Sequence, residues 1–188
     1  KPWAIISYGF LHAGFIHILF NCIALYFIGN LFTQYFTQKQ LLNFYLLGTL
    51  FGGIVYIFSQ SFFPLFSGKT SYLVGASAGI SAIFIGIATY IPNYELKIRF
   101  IGYVKMWQLA AVWIGLDIIG LVGANAGGNF AHLGGALFGF FTYATYDLTN
   151  LATLKGWPLS IVFIDIIWGS VLSAFVSFSG FYIVKWLT

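Results

Sequence analysis

Two polar residues stand out in a chain that is otherwise apolar: Ser77 within Gly75-Ala76-Ser77-Ala78-Gly79, and His132 within Ala131-His132-Leu133-Gly134-Gly135. Each heads a hydrophobic run of membrane-spanning length. A hydroxyl that can attack and an imidazole that can take its proton are the parts of nucleophilic hydrolysis. Their setting points to hydrolysis within a bilayer. Taken singly, each has a plainer reading: a membrane-helix serine bonds its own i−4 carbonyl or fills a close helix contact, and a lone histidine is a structural hydrogen-bond partner. The pairing favours chemistry. Ser77 lies at a helix start, where the first N–H groups lack intrahelical acceptors and the dipole favours negative charge, so an oxyanion would be stabilised there. At 100° per residue Gly135 and Gly139 share the face of His132, which gives the histidine a small-residue seam that another helix can approach closely. Gly75 and Gly79 flank the serine in the same supporting role.

A third group lies upstream in Phe10-Leu11-His12-Ala13-Gly14-Phe15-Ile16-His17-Ile18-Leu19-Phe20-Asn21. His17 and Asn21 are i, i+4 neighbours that offer two side-chain donors to one point, as a tetrahedral oxyanion requires. Metal ligation by His12, His17 and His132 and simple interhelical hydrogen bonding are the competing readings. No Asp, Glu or Cys completes a shell, and the H-E-x-x-H spacing of membrane metalloproteases is missing, so neither a metal nor another cofactor is expected.

The elements that must position these residues follow from composition. The chain has 188 residues, 60% hydrophobic and 6% charged, which marks an integral membrane protein against roughly 25% charged residues in soluble domains. Period-2 alternation, the mark of a transmembrane barrel, is absent. Apolar runs give six candidate helical spans, a to f, at about 12–36, 40–61, 75–92, 102–122, 128–147 and 158–187, in one all-α domain over 1–188 with its core in 1–150. The eight Lys/Arg are scattered singly as loop charges, so a net charge of +4 signals no nucleic-acid partner. Lys39, Lys97, Arg99, Lys105 and Lys155 fall on one side and Lys1, Lys69 and Lys185 on the other, which puts the first group in the cytoplasm. Spans a, c and e then enter from the outer face. His17, Asn21, Ser77 and His132 should share one depth, roughly 8 Å below the helix starts at about 1.5 Å per residue. Cys22 has no cysteine partner in the chain. No signal peptide is read. The start at Lys1 without an initiator Met leads us to expect that an upstream part was removed or left out.

With these residues in hand the chain resembles the rhomboid intramembrane serine proteases. The family pattern H-x₄-H-x₃-N, G-x-S-[GA] and A-H-x-x-G-x₃-G appears as His12/His17/Asn21, Gly75/Ser77/Ala78 and Ala131/His132/Gly135/Gly139, in that order. The resemblance implies Ser77 as nucleophile, His132 as general base, and an oxyanion site from the Ser77 N–H, His17 and Asn21. It implies transmembrane protein substrates, a multi-pass place in a membrane, taken as the bacterial inner membrane, and an active site opening to the outer face. Span d would be a lateral gate, and the Ser61–Val74 and Gly123–Gly127 loops would cover the site. Some features depart from the pattern. The family's first core span is missing ahead of the His motif, and Ala4 follows Trp3 where a Trp-Arg pair is usual. Ser81 stands where many bacterial members carry an aromatic that stacks on the histidine. Span f is additional; its Asp165, Gly169, Ser173 and Ser177 recur every four residues and are expected to pack against the bundle, with a dimer face as the alternative.

Other readings have specific weaknesses. G-x-S-x-G is also the nucleophile elbow of α/β-hydrolases, and the order Ser77, Asp117, His132 matches their triad, but no βαβ framework surrounds it. A transporter would show an internal repeat, and none is seen. A catalytically silent rhomboid-like binder of membrane helices would have lost Ser or His, and both are present. Asp117 lies near the outer end of span d, at nearly the depth of Ser77 and His132. A dyad is nevertheless expected, because a swinging gate is a poor mount for a residue that must hold the histidine.

Overall fold

The computed structural model describes residues 2–62, 72–99, 101–123 and 125–153, with side chains through Thr145. The chain is mostly helical. A short helix α1 (Ala4–Ser7) runs into a 3₁₀ turn (Tyr8–Phe10), then α2 (Phe15–Phe32), α3 (Gln38–Phe62) and α4 (Ser77–Tyr90); a hairpin of β1 (Glu95–Ile98) and β2 (Gly102–Lys105) follows, then α5 (Met106–Gly120) and α6 (Ala126–Thr153). Candidate span f lies outside the described residues.

The helices α2 and α3 are long and apolar enough to cross a membrane. The apolar α4 and α5 have 14 and 15 residues and measure only about 22 Å at 1.5 Å per residue, against a hydrocarbon core of about 30 Å. The structure therefore bears out a mostly helical bundle, in which two of the described helices have the length and composition of membrane crossings.

Span d is corrected at its start. Residues 102–105 form a strand rather than the first turn of a helix, and 95–98 pair with them antiparallel, Glu95 opposite Lys105 and Lys97 opposite Tyr103. Alternation causes it: Leu96, Ile98 and Val104 are half-buried while Glu95, Lys97 and Tyr103 face outward, the period-2 pattern of a half-covered sheet. Gly102 adopts φ +99° at the entry to β2, a conformation that glycine takes without steric cost.

Helix α4 is the hub. Every residue from Ala78 to Ala88 is buried, because its neighbours meet it with small residues. A Cβ on Gly79 would come within 2.7 Å of Thr49 and Tyr45 of α3. On the other side Gly135 and Gly139 of α6 lie directly on the carbonyls of Ala78 and Ala82, with no room for a Cβ. Below this glycine-packed layer Ile83, Ile87, Phe44, Phe32, Met106 and Phe140 form the main core. Outward faces are apolar too: Phe15, Phe20, Tyr26 and Phe27 of α2 and Leu116 and Ile119 of α5 are all exposed. Contiguous apolar exposure on this scale marks a surface meant for a partner or a membrane rather than for water.

Candidate active site

Ser77 is the first residue of α4, His132 lies in the second turn of α6, and His17 and Asn21 occupy the first two turns of α2. These three helix starts converge at one end of the bundle. There Ser77 Oγ lies 2.6 Å from His132 Nε2, a short hydrogen bond between the hydroxyl and the imidazole. Both line a cavity of about 540 Å³ together with His17, Asn21, Gly75 and Asn125.

The approach to Ser77 is shaped by its backbone. Gly75 has φ +129°, a conformation L side chains rarely adopt, and its N–H donates to the Tyr8 carbonyl at 3.0 Å. Tyr8 is itself anchored, its hydroxyl donating to the Thr49 carbonyl at 2.7 Å. A Cβ on Gly75 would stand 2.9 Å from His17 Nε2 and 3.5 Å from Ser77 Oγ, so the bare glycine keeps open the space between an N–H donor and the nucleophile.

His17 Nδ1 accepts the Ala13 N–H at 3.4 Å. A neutral imidazole with Nδ1 as acceptor carries its proton on Nε2, which makes His17 a donor toward this space. Asn21 is buried and donates one amide N–H to the His17 carbonyl at 2.8 Å, leaving its second amide hydrogen for a ligand. His12 does not line this cavity; its ring packs edge-on against His17, with centroids 5.1 Å apart. Among the described residues no group of three or more His, Cys, Asp or Glu could hold a metal ion.

The structure also brings Asp117 to the site: its Oδ1 lies 2.7 Å from His132 Nδ1, a contact that the expected dyad does not use. The cause is helix order. Helix α5 runs opposite to α6 and packs beside it, so a residue three positions from the end of α5 stands level with one six positions into α6. Ser81, at the place of the family's aromatic, accepts the Trp113 indole N–H at 3.0 Å.

Two further participants carry sequence signals too weak to have been read. Asn125, in the segment joining α5 to α6, lines the cavity, as one polar residue of a Gly-rich loop. Gly52 of α3 would place a Cβ 2.6 Å from the Ala131 carbonyl and 2.8 Å from Ala78 Cβ, beneath both reacting residues. Its spacing of four from Gly48 was the available sign.

A mostly helical bundle with a serine and a histidine meeting at its helix starts agrees with a family comparison: residues 1–148 match the Rhomboid domain, and the chain belongs to the rhomboid family. It is 29% identical over 151 residues to RHOMBOID-like protein 12, mitochondrial, of Arabidopsis thaliana, covering 74% of this chain and 45% of that protein. It is 31% identical over 133 residues to Presenilin-associated rhomboid-like protein A, mitochondrial, of Danio rerio, covering 69% and 34%. Rhomboid protease GlpG of Yersinia pseudotuberculosis is 26% identical over 159 residues, covering 80% and 50%. The chain thus spans between a third and a half of these relatives' lengths. No solved structure matches it. The expected bacterial inner membrane gains no support from these relatives, two of which are mitochondrial by name.

Proposed function

We propose that the chain is an intramembrane serine endopeptidase that hydrolyses peptide bonds in or next to the transmembrane helices of protein substrates, with no cofactor. The observation that carries this reading is the 2.6 Å contact between Ser77 Oγ and His132 Nε2 beside a cavity that also holds donors from His17 and Asn21. The name of the Yersinia relative, a rhomboid protease, supports it.

In the proposed reaction His132 Nε2 takes the Ser77 hydroxyl proton as Oγ bonds to the substrate carbonyl carbon, and the carbonyl electrons move to oxygen. The Ser77 N–H, the His17 Nε2–H and the free Asn21 amide hydrogen are the donors for that oxyanion. Collapse breaks the C–N bond, and the proton on Nε2 goes to the leaving amine. Water then attacks the acyl ester with His132 again as base, releasing the acid and restoring the Ser77 hydroxyl.

The bundle is proposed to cross the membrane six times, span f included, with the active site opening to the non-cytoplasmic face. Exposed aromatic and aliphatic side chains on α2 and α5 support a lipid-embedded setting, where apolar outer faces cost nothing.

The test is labelling of the purified full chain by a fluorophosphonate, together with cleavage of a model transmembrane substrate in detergent. Ser77→Ala should lose both, and His132→Ala should lose cleavage while remaining folded. Near-native turnover by either variant refutes the assignment. The competing reading, a silent binder of membrane helices, requires that the wild type neither label nor cleave.

A further inference from the structure

The two-residue reaction above leaves one feature of the site without a role. Asp117 is one of four acidic residues in the chain, its side chain is only 9% exposed, and its Oδ1 lies 2.7 Å from His132 Nδ1. Burying a carboxylate in an apolar bundle is costly unless it is paired and hydrogen-bonded. Its other oxygen, Oδ2, is buried with no hydrogen-bond donor among the described residues. His132 is therefore the group that accounts for the carboxylate's position.

Resting on the serine endopeptidase reading, we propose that Asp117 is the positioning residue of His132, fixing the Nδ1–H tautomer and aiming the Nε2 lone pair at Ser77. In the proposed arrangement the carboxylate is the acceptor of the 2.7 Å contact and Nδ1 carries the hydrogen. Neutral imidazole carries one hydrogen, so Nε2 is left as the acceptor, facing the hydroxyl at 2.6 Å. Ring rotation is held from both ends by these two short contacts. When Nε2 takes the Ser77 proton, the imidazolium forms against a negative charge.

The arrangement distinguishes this role from a purely structural one. Asp117 sits on α5, which is also tied to the bundle by the Trp113 hydrogen bond to Ser81 and whose outer residues Val112, Leu116 and Ile119 are exposed. If the carboxylate only latched α5 in place, removing it would loosen that helix as removing the Trp113 bond does, and the two changes would act alike.

The experiment compares Asp117→Asn, Asp117→Glu and Trp113→Phe in the full chain, reading kcat, KM and the rate of fluorophosphonate labelling. Asp117→Asn keeps the shape and removes the charge; it should lower kcat by on the order of 10³–10⁴-fold with KM nearly unchanged, the pattern of an interaction made in the transition state. Asp117→Glu should recover part of that loss, and Trp113→Phe should stay within about threefold of wild type. Asp117→Asn cleaving within about tenfold of wild type, or faster, overturns the proposal, as does an equal loss in Trp113→Phe. Should Asp117→Asn fail to fold, the unmodified protein still decides. It holds three histidines, and ¹⁵N-histidine spectra should show His132 as the Nδ1–H tautomer; the Nε2–H tautomer refutes the assignment. A wild type that neither labels nor cleaves refutes the endopeptidase reading instead, and the tautomer still reports on Asp117.

Discussion

Gly52→Ala tests whether glycine packing, rather than the reacting groups alone, sets the geometry of the site. Gly52 faces the two residues that adjoin the nucleophile and the base: an added Cβ would lie 2.6 Å from the Ala131 carbonyl oxygen, 2.8 Å from Ala78 Cβ and 3.0 Å from the Tyr8 hydroxyl. Ordinary contact begins at 3.4 Å, so the carbonyl must retreat by about 0.8 Å and the Ala78 methyl by about 0.6 Å. Backbone is the obstacle, so no rotamer change can relieve it. Overpacking of this kind costs about 1–3 kcal/mol. Part of the strain goes into spreading α4 from α6, which moves Ser77 from His132. Their hydrogen bond starts at 2.6 Å, and a further 0.8 Å brings it to the edge of hydrogen-bonding distance.

Misplacement by about 1 Å can cost on the order of 10²-fold in rate, so a fall of about 10–100-fold in kcat is expected for this variant, with KM little changed. The assay is turnover of a model transmembrane substrate, with thermal unfolding followed in the same detergent. Gly115→Ala is the control. A Cβ there meets nothing within 4 Å, and alanine is the better helix former by about 1 kcal/mol, so activity should hold and stability should not fall. A Gly52→Ala protein as stable as wild type, turning over at the wild-type rate, would refute the reasoning that α3 sets the Ser77–His132 distance.

Asn21→Ala should lower kcat by on the order of 10²-fold while leaving some activity, because the Ser77 N–H and His17 remain as donors; an unchanged rate removes Asn21 from the oxyanion site. His132→Ala should lower the unfolding temperature more than the double variant His132→Ala/Asp117→Asn, since the single change leaves a buried carboxylate without its partner, a loss of about 3–5 kcal/mol for broken buried pairs. Equal unfolding temperatures for the two proteins would show that Asp117 is satisfied by something other than His132.

What could be read from the sequence was whatever depends on residue type against its immediate background. Ser77, His132, His17 and Asn21 are rare polar residues in apolar runs, and their small neighbours mark close helix contacts, so their convergence followed from shared depth, those contacts and the motif resemblance together. The hairpin at 95–105 was hidden because Pro92 and the cations Lys97, Arg99 and Lys105 suggest a loop. The alternation of Leu96 and Ile98 with Lys97 was its only signature. Asp117 and Gly52 needed tertiary information. Depth along the membrane normal was available for Asp117, but which helix stands beside α6 was not, and a glycine reveals its role only through what packs on it.

The structure separates two tasks that a soluble hydrolase performs with one rigid sheet. Helices α3, α4 and α6 meet through Gly48, Gly52, Gly79, Gly135 and Gly139 with no room for a Cβ, and this close backbone contact sets Ser77 against His132. The carboxylate comes from α5, which is held beside the imidazole by the Trp113 and Asp117 hydrogen bonds and carries an apolar outer face. A displacement of α5 that left the glycine-packed core intact would therefore keep the nucleophile and base in contact while removing the group on Nδ1. Small residues can position a serine against a histidine inside an apolar bundle, but they cannot set a tautomer; that requires a hydrogen-bonding group on Nδ1, and the proposed one is the carboxylate of the neighbouring helix.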